Sequence, residues 1–453
     1  MNLRSLLFGK RSAASSEASA TAAAADSTAR WLDIYNGGGE WRYTRKGGLS
    51  GGTRKVASPN AAKALCAELS RLCFTENTEL VCADKETETY LKRVLDENGF
   101  FERFPDFLEK AFALGGGVIK VYRDDGGVRL DFVAADCFVP TKWNGRGFYG
   151  GAFGSNVTEN GKSYVLAETQ EVTDKGLVIE NKLFSDSGRE LELSELYPQM
   201  REKVVIKGFT KPLFVYFGTG AGKNRECPPL GASVFADSED TLKAIDIVFD
   251  SLTREFVLGR KRIIVPSYAV RGEYDENGEL KRYFNVNDEV FEAFSTSDTD
   301  ELKITDNTAV LRVSEHIAAL SELLDLLCMQ AGLSEGALSF KSGTLRTATE
   351  VISRNSRTYR TACFYRKRIA NGLARVAENI CLLGKMSGEL SRNACSEAAI
   401  RFADGVCEDE GTRIERAQKL FGCGLISKAR AISEVYGISL DEAKSMVKED
   451  NDD

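Results

Sequence analysis

The sequence predicts an α+β fold in which helix predominates, and three observations predict it. Long stretches carry apolar residues at three- and four-residue spacing, the period of a helix with one buried face. A central stretch, 148–206, instead alternates short apolar runs with turn signals such as Asn160-Gly161 and Asp186-Ser187-Gly188, the pattern of strands. The chain has 453 residues, 43% hydrophobic and 28% charged, as expected of a soluble globular protein with enough core for roughly two to four domains.

In chain order, residues 11–30 are Ala/Ser-rich and hold no large apolar side chain. They bury too little surface to offset the entropy of ordering, so residues 1–30 are expected to be a disordered tail, with order from Trp31. Ala62, Leu65, Leu69 and Leu72 line one face of a helix over 59–75; further helices are expected over 85–98 and 104–114. Gly115-Gly116-Gly117 then leads into a strand at 118–122, a turn at 124–127 and a second strand at 128–133. A phosphate cradle needs the order strand, glycines, helix, because the anion sits on free N–H groups at a helix N-terminus. Here the order is helix, glycines, strand, so the triplet reads as a helix stop and hairpin feature.

After the β-rich middle, Leu242, Ile245, Phe249, Leu252 and Phe256 stripe a helix over 233–258, and Asp237, Glu239, Asp240, Asp246, Asp250 and Glu255 decorate the rest. It ends at Gly259 and Arg260-Lys261-Arg262. A strand at 263–265 and a tight turn at Asp275-Glu276-Asn277-Gly278 follow. Ile317, Leu320, Leu324 and Leu327 stripe a helix over 314–332, and a polar loop, 334–347, precedes a helix over 348–384 that would extend roughly 50 Å. Residues 341–375 hold nine basic side chains against Glu350 alone, in a chain of net charge −7. The remainder reads as small helices: one over 412–421, one capped by Ser427, and one opened by the capping box Ser439-Leu440-Asp441-Glu442, before an acidic tip at 449–453.

Several chemistries are excluded. A single histidine, His316, rules out a His-rich metal site and leaves any triad with one possible base. Eleven cysteines without a C-x-x-C pair fit neither a zinc knuckle nor a disulfide framework; they read as core filler in a reducing compartment. Asp275 and Glu276 lack the ligand ladder of a calcium loop, so neither metal nor cofactor is expected. Gly218-Thr-Gly-Ala-Gly-Lys-Asn224 resembles a Walker A loop, but only three residues separate Gly218 from Gly222. Asn224 stands where a Mg²⁺-binding Ser/Thr belongs, and Pro228-Pro229 occupy the helix start. A surface loop is the better reading, and a nucleotide-binding enzyme built on 218–224 is the weaker alternative. No uninterrupted apolar stretch of about 18 residues exists to span a membrane, and residues 1–7 are followed by Ala/Ser-rich sequence rather than a signal-peptide core. The net charge opposes tight nucleic-acid binding.

Three segments carry a resemblance: PLGASVFADSEDTLKAIDIVFDSLTREF at 229–256, GLSEGALSFKSGTLRTATEVISRNSRTYRT at 332–361, and GLISKARAISEVYGISLDEA at 424–443. Over about 60–445 the chain resembles portal proteins of tailed bacteriophages, particularly long-tailed phages of Gram-positive hosts, and TATEV at 347–351 is the most specific part. The resemblance implies a ring of about twelve copies at one capsid vertex, through which DNA is packaged and ejected. Its implied parts are a wing at 31–232, a first stem helix at 233–259, a clip at 260–312 and a second stem helix at 313–333. A tunnel loop at 334–347, a long wing helix and return at 348–400, and a crown at 401–453 complete them.

Implied partners are other copies of the chain, double-stranded DNA, the terminase large subunit, a head–tail adaptor, and major capsid and scaffold proteins. The implied place is the virion, after assembly in the host cytoplasm. No residue is expected to be catalytic; another head-vertex or minor capsid structural protein is the alternative. Ser339, Lys341, Ser342, Thr344 and Arg346 are the expected channel residues, and Arg260, Lys261 and Arg262 the expected clip residues, although basic residues at a helix C-terminus also answer the helix dipole. The acidic face of 233–258 and the basic face of 354–375 read as complementary surfaces of neighbouring copies, because a closed ring needs two different surfaces to meet. Asp246, Asp250, Glu255, Arg354, Arg357 and Arg368 are the expected contacts. The alternative is a solvated or internally paired face.

Overall fold

The Ala/Ser-rich stretch is helical. In the computed structural model α1 (Ser16–Tyr35) runs through the segment expected to be disordered. Alanine carries the smallest cost of any residue in a helix, and the last turn is anchored: Ile34 and Tyr35 are buried, Tyr35 Oη donates to Glu109 at 2.5 Å, and Arg30 pairs with Glu239. Composition alone hid those anchors, which lie at the far end of the low-complexity run. The structure describes residues 16–46, 52–75, 78–82, 84–145, 147–220, 230–259, 263–266, 273–274, 280–281, 292–294, 305–306, 310–339, 356–402, 410–436 and 443–447.

After α1 come a 3-10 turn at Glu40–Arg42, β1 (Tyr43–Lys46), β2 (Gly52–Lys55), α2 (Ala61–Cys73), β3 (Thr78–Cys82), α3 (Lys85–Glu97) and α4 (Phe100–Leu114). The strands β4 (Gly116–Asp124), β5 (Gly127–Ala134), β6 (Phe138–Asn144), β7 (Gly147–Glu159), β8 (Lys162–Thr173), β9 (Gly176–Ser185), β10 (Glu190–Leu191), β11 (Lys203–Ile206) and β12 (Phe214–Gly218) follow. Next is α5 (Glu239–Leu258), then the short strands β13 (Ile263–Pro266), β14 (Glu273–Tyr274), β15 (Leu280–Lys281), β16 (Glu292–Phe294) and β17 (Thr305–Asp306). The chain continues through α6 (Val313–Gln330), α7 (Ser356–Ser387), β18 (Ala398–Phe402), α8 (Glu410–Gly422) and α9 (Lys428–Tyr436).

These elements form two compact units. One draws on 1–38, 62–239 and 327–453, the other on 39–61 and 240–326. In the larger unit, β12, β4 and β5 make a three-stranded sheet, β10-β9-β8-β7-β6 a meander to which β11 adds by pairing with β9, and β18 pairs with β3. The alternation read at 148–206 is the pleat of β7, β8 and β9, each antiparallel to the next. Phe138, Phe153 and Phe214 join the two larger sheets in one cluster with Val118 and Val133. α4 lays Phe100, Phe104 and Phe107 into a second aromatic cluster with Phe74, Phe132 and Phe217. Each fully buried ring stabilises the fold by about 1.5–3 kcal/mol.

α7 crosses this core with small residues where rings must pass. A Cβ on Gly372 would lie 2.3 Å from the Phe217 ring, and one on Gly384 2.5 Å from Tyr90 Oη. The helix therefore runs through Gly384, where the sequence suggested it would stop, and ends before Gly388, which takes φ +82°. Its 32 residues span about 48 Å. α5 starts six residues later than expected, because Ser233 Oγ accepts from the Phe235 amide and draws the chain into turns around the buried Phe235.

The smaller unit contains the β1–β2 hairpin, nearly all of α5, a sheet in which β13 pairs parallel with β16 and antiparallel with β17, the β14–β15 hairpin, and most of α6. The turn expected at 275–278 lies outside the described residues, between the paired β14 and β15.

Candidate functional site

Among the described residues the glycine-rich segments come together without forming an anion cradle. Gly115 caps α4 in the left-handed region, φ +85°, and passes so close to Gly231 that a Cβ on either would lie within 2.3 Å of the other's carbonyl oxygen. The Gly115 carbonyl accepts from the Thr219 amide, the Thr219 hydroxyl and Tyr216 Oη, each at 3.2 Å. Thr219 Oγ1 also donates to Ala232 O at 2.7 Å. The amide and hydroxyl of Thr219 are thus spent on the protein's own backbone; residues 221–229 lie outside the described residues.

Three acids of α5, Asp246, Asp250 and Glu255, are bound within the chain. Asp246 is 1% exposed. Its carboxylate accepts from Trp41 Nε1 at 2.8 Å and from Arg42 Nε at 2.7 Å. Asp250, also buried, takes a two-pronged contact from Arg54, at 2.6 and 2.7 Å, and the Ala57 amide at 2.9 Å. The hydrogen bonds from Arg54, followed by that from Ala57, hold the Asp250 carboxyl below the usual range against the opposing effect of burial. Arg42 is 1% exposed, and its two η nitrogens have no hydrogen-bond partner among the described residues. Glu255, one turn beyond, takes the Arg312 side chain at 3.1 Å to each oxygen and lies 3.5 Å from His316 Nε2. Arg312 pulls its carboxyl down to about 2.

Asp246 and Asp250, expected at a boundary between copies, therefore offer no free acidic face, and Glu255 ties the end of α5 to the start of α6. The residues that sequence reasoning missed are Trp41, Arg42 and Arg54. A signal was present: 41–55 carries Arg42, Arg45, Lys46, Arg54 and Lys55 with no acid among them, a basic hairpin matched to an acidic helix.

After α6 the chain turns at Gly332, φ +77°. There the Ser334 amide donates to Thr358 Oγ1 at 2.8 Å and the Thr358 amide donates to Ser334 Oγ at 3.3 Å. Thr361 Oγ1 donates to Gly332 O at 2.6 Å. This reciprocal bracket satisfies an amide in the first turn of α7, as a cap does, and ties the chain just after α6 to the start of α7. Of the expected channel residues Ser339 is described, its amide donating to Gly336 O; Lys341, Ser342, Thr344 and Arg346 lie outside the described residues, as do Arg260, Lys261, Arg262 and Arg354.

The basic stretch of α7 divides by face. Arg366 points inward, donating through Nη2 to Leu72 O at 2.9 Å and lying over the Phe402 ring. Arg357, Arg360, Lys367, Arg368 and Arg375 are exposed.

Among the described residues no cluster of His, Cys, Asp and Glu could hold a metal ion. No helix there is long and apolar enough to cross a membrane. The family profile described as "Phage portal protein, SPP1 Gp6-like" matches residues 52–453. The chain belongs to that family. It is thus a portal protein, a virion structural protein, as the three quoted segments implied. Among solved structures, one match is a chain of "Virion of native gene transfer agent (GTA) particle", 14% identical with a TM-score of 0.38, covering 84% of this portal protein and 89% of that chain. No curated protein matches significantly.

Proposed function

We propose that copies of this portal protein close into a ring at one capsid vertex of a tailed phage or prophage, of the long-tailed type with a Gram-positive host, and that double-stranded DNA passes through its centre. The observation that carries this reading is the family match over 52–453. In this reading about twelve copies form the ring, the terminase large subunit docks during packaging and a head–tail adaptor afterwards, and scaffold and major capsid protein surround it in the virion. Residues 31–232 serve as wing, α5 and α6 as the stem helices, 260–312 as clip, 334–347 as tunnel loop, 348–400 as long wing helix and return, and 401–453 as crown. In this reading the protein is a conduit with no catalytic residues of its own, and the terminase motor drives the DNA through it.

The bracketed loop between α6 and α7 supports the tunnel-loop assignment. Gly332 and Ser334 on one side of it are fixed to Thr358 and Thr361 on the other, so the chain leaves and returns at one base; Lys341 and Arg346 lie between, outside the described residues. A conduit benefits from few cations there, since affinity for DNA climbs steeply with each neutralised phosphate. Electron microscopy of the purified protein is expected to show closed rings with a central hole. Charge reversal at Lys341 and Arg346 is expected to lower DNA packaging while leaving the rings intact. Monomers under all conditions, including with scaffold and capsid protein, would refute the ring; unchanged packaging would refute the loop assignment.

A further inference from the structure

α7 presents a basic stripe that no acidic side chain among the described residues neutralises. At 100° per residue, Arg357, Arg360, Phe364, Lys367, Arg368 and Arg375 fall within an arc of about 100°, opposite Arg366, and extend along about 27 Å of helix. Among the described residues none of the five cations has an acidic partner; Arg360 Nε donates to Ser356 O of its own helix. Phe364 lies at the centre of the stripe, 51% exposed, with the Arg368 guanidinium stacked 4.7 Å from its ring centroid.

We infer that this stripe is an interface that receives an acidic surface of a second copy of the chain. Three observations favour a protein partner and that particular one. First, four of the five cations are arginines and an exposed phenylalanine sits among them. Arginine and aromatic residues are enriched in protein–protein interfaces and lysine is depleted there, whereas a duplex backbone makes no use of a ring at the centre of its contact. Second, stacking on Phe364 fixes the Arg368 fork before any partner arrives, so less side-chain freedom is lost on binding. Third, the copies carry the complement: in a chain of net charge −7, five cations on one face leave −12 for everything else. Asp246, Asp250 and Glu255 of α5 are not that complement, because Arg42, Arg54 and Arg312 hold them within the chain. The surface that meets the stripe is therefore elsewhere on the neighbour, and the contact joins two different faces, as a closing ring requires. The inference deepens the ring reading and rests on it for the geometry of closure, but not for the contact itself.

The test is self-association of the full-length protein, followed by mass photometry and negative-stain microscopy, for wild type, Arg360→Glu/Arg368→Glu and Phe364→Ala. All three positions are exposed, so the melting curves of the dispersed chains are expected to coincide. The double reversal is expected to abolish rings or to raise the protein concentration at half-assembly by at least about tenfold, in the range of an interface hot spot. Phe364→Ala is expected to weaken assembly as well, and added salt to disperse wild type as screening sets in. Rings of Arg360→Glu/Arg368→Glu that form at the wild-type concentration overturn the inference. So do intact variant rings that have lost affinity for duplex DNA, which would make the stripe a nucleic-acid surface. Wild-type protein that associates without closing counts against the ring alone, and the stripe stands if the double reversal disperses it. Wild type that stays monomeric throughout overturns both.

Discussion

Replacing Asp246 by alanine strands a cation in the protein interior. The Arg42 and Asp246 side chains are 1% and 2% exposed, so solvent does not screen their attraction. The η nitrogens of Arg42 have no partner to take over. Removing one member of such a pair costs about 3–5 kcal/mol, because the other charge stays buried and uncompensated; the lost bond from Trp41 is part of the same loss. At a urea m-value of about 2 kcal/mol/M the unfolding midpoint falls by roughly 1.5–2.5 M. The assay is urea unfolding read by tryptophan fluorescence in a Trp31→Phe/Trp143→Phe background, in which Trp41 is the remaining tryptophan and reports on the pair it touches. Replacing both members, Arg42→Met with Asp246→Leu, is expected to fall within about 1–2 kcal/mol of the parent or above it, because desolvation of both charges disappears together. A loss below about 1 kcal/mol for Asp246→Ala, or additive losses in the two single variants and the double, would refute the account of a buried, mutually dependent pair.

Three further outcomes are expected. The Asp250 carboxyl is held low by Arg54, so its contribution to stability is complete above the ordinary carboxylate pKa of about 3.9 and is lost as pH falls through the depressed value. The midpoint gap between wild type and Asp250→Asn should be flat near neutrality and close only below about pH 4; closure near pH 6 would refute this. Gly115→Ala, with φ +85° and a Cβ 2.3 Å from the Gly231 carbonyl, should destabilise by about 2–5 kcal/mol through strain and overpacking together. Gly127→Ala, at φ +118° but with nothing within 4 Å, should cost only the strain of about 1–3 kcal/mol, and equal melting points for the two would sink the distinction. Equilibrium dialysis against ATP should detect no binding for wild type or Lys223→Ala, since Thr219 already spends its amide and hydroxyl on Gly115 and Ala232.

Much of the fold was legible because its signals are local. α3 opens at Lys85 where Asp84 caps it, and the β4–β5 hairpin turns at the Asp124–Gly127 run. α7 was visible from its periodicity, but its passage through Gly384 was not, since a helix tolerates glycine where a ring such as Tyr90 needs the room. The tail prediction failed at α1 for the opposite reason: alanine-rich sequence is poor in core but rich in helix propensity. The candidate site was legible in its charges and not in their pairing. The acids of α5 and the cations of α7 looked like complements because both are conspicuous and near in sequence. The true partners of Asp246 and Asp250 lie 204 and 196 residues earlier, in a basic stretch whose charge matches the helix but whose distance in sequence hides the pairing.

That separation sets a timetable. Translation at about 5–20 residues per second leaves Arg42 waiting roughly 10–40 s after it leaves the ribosome before Asp246 exists to receive it. Until then the β1–β2 hairpin has no acidic helix to sit on. The larger unit waits longer, because α7 and β18, which complete its core, come later still. A nascent chain therefore forms local hairpins and helices first; the smaller unit, which ends at 326, can close while the rest is still being made, and the larger, which draws on 327–453, closes after it.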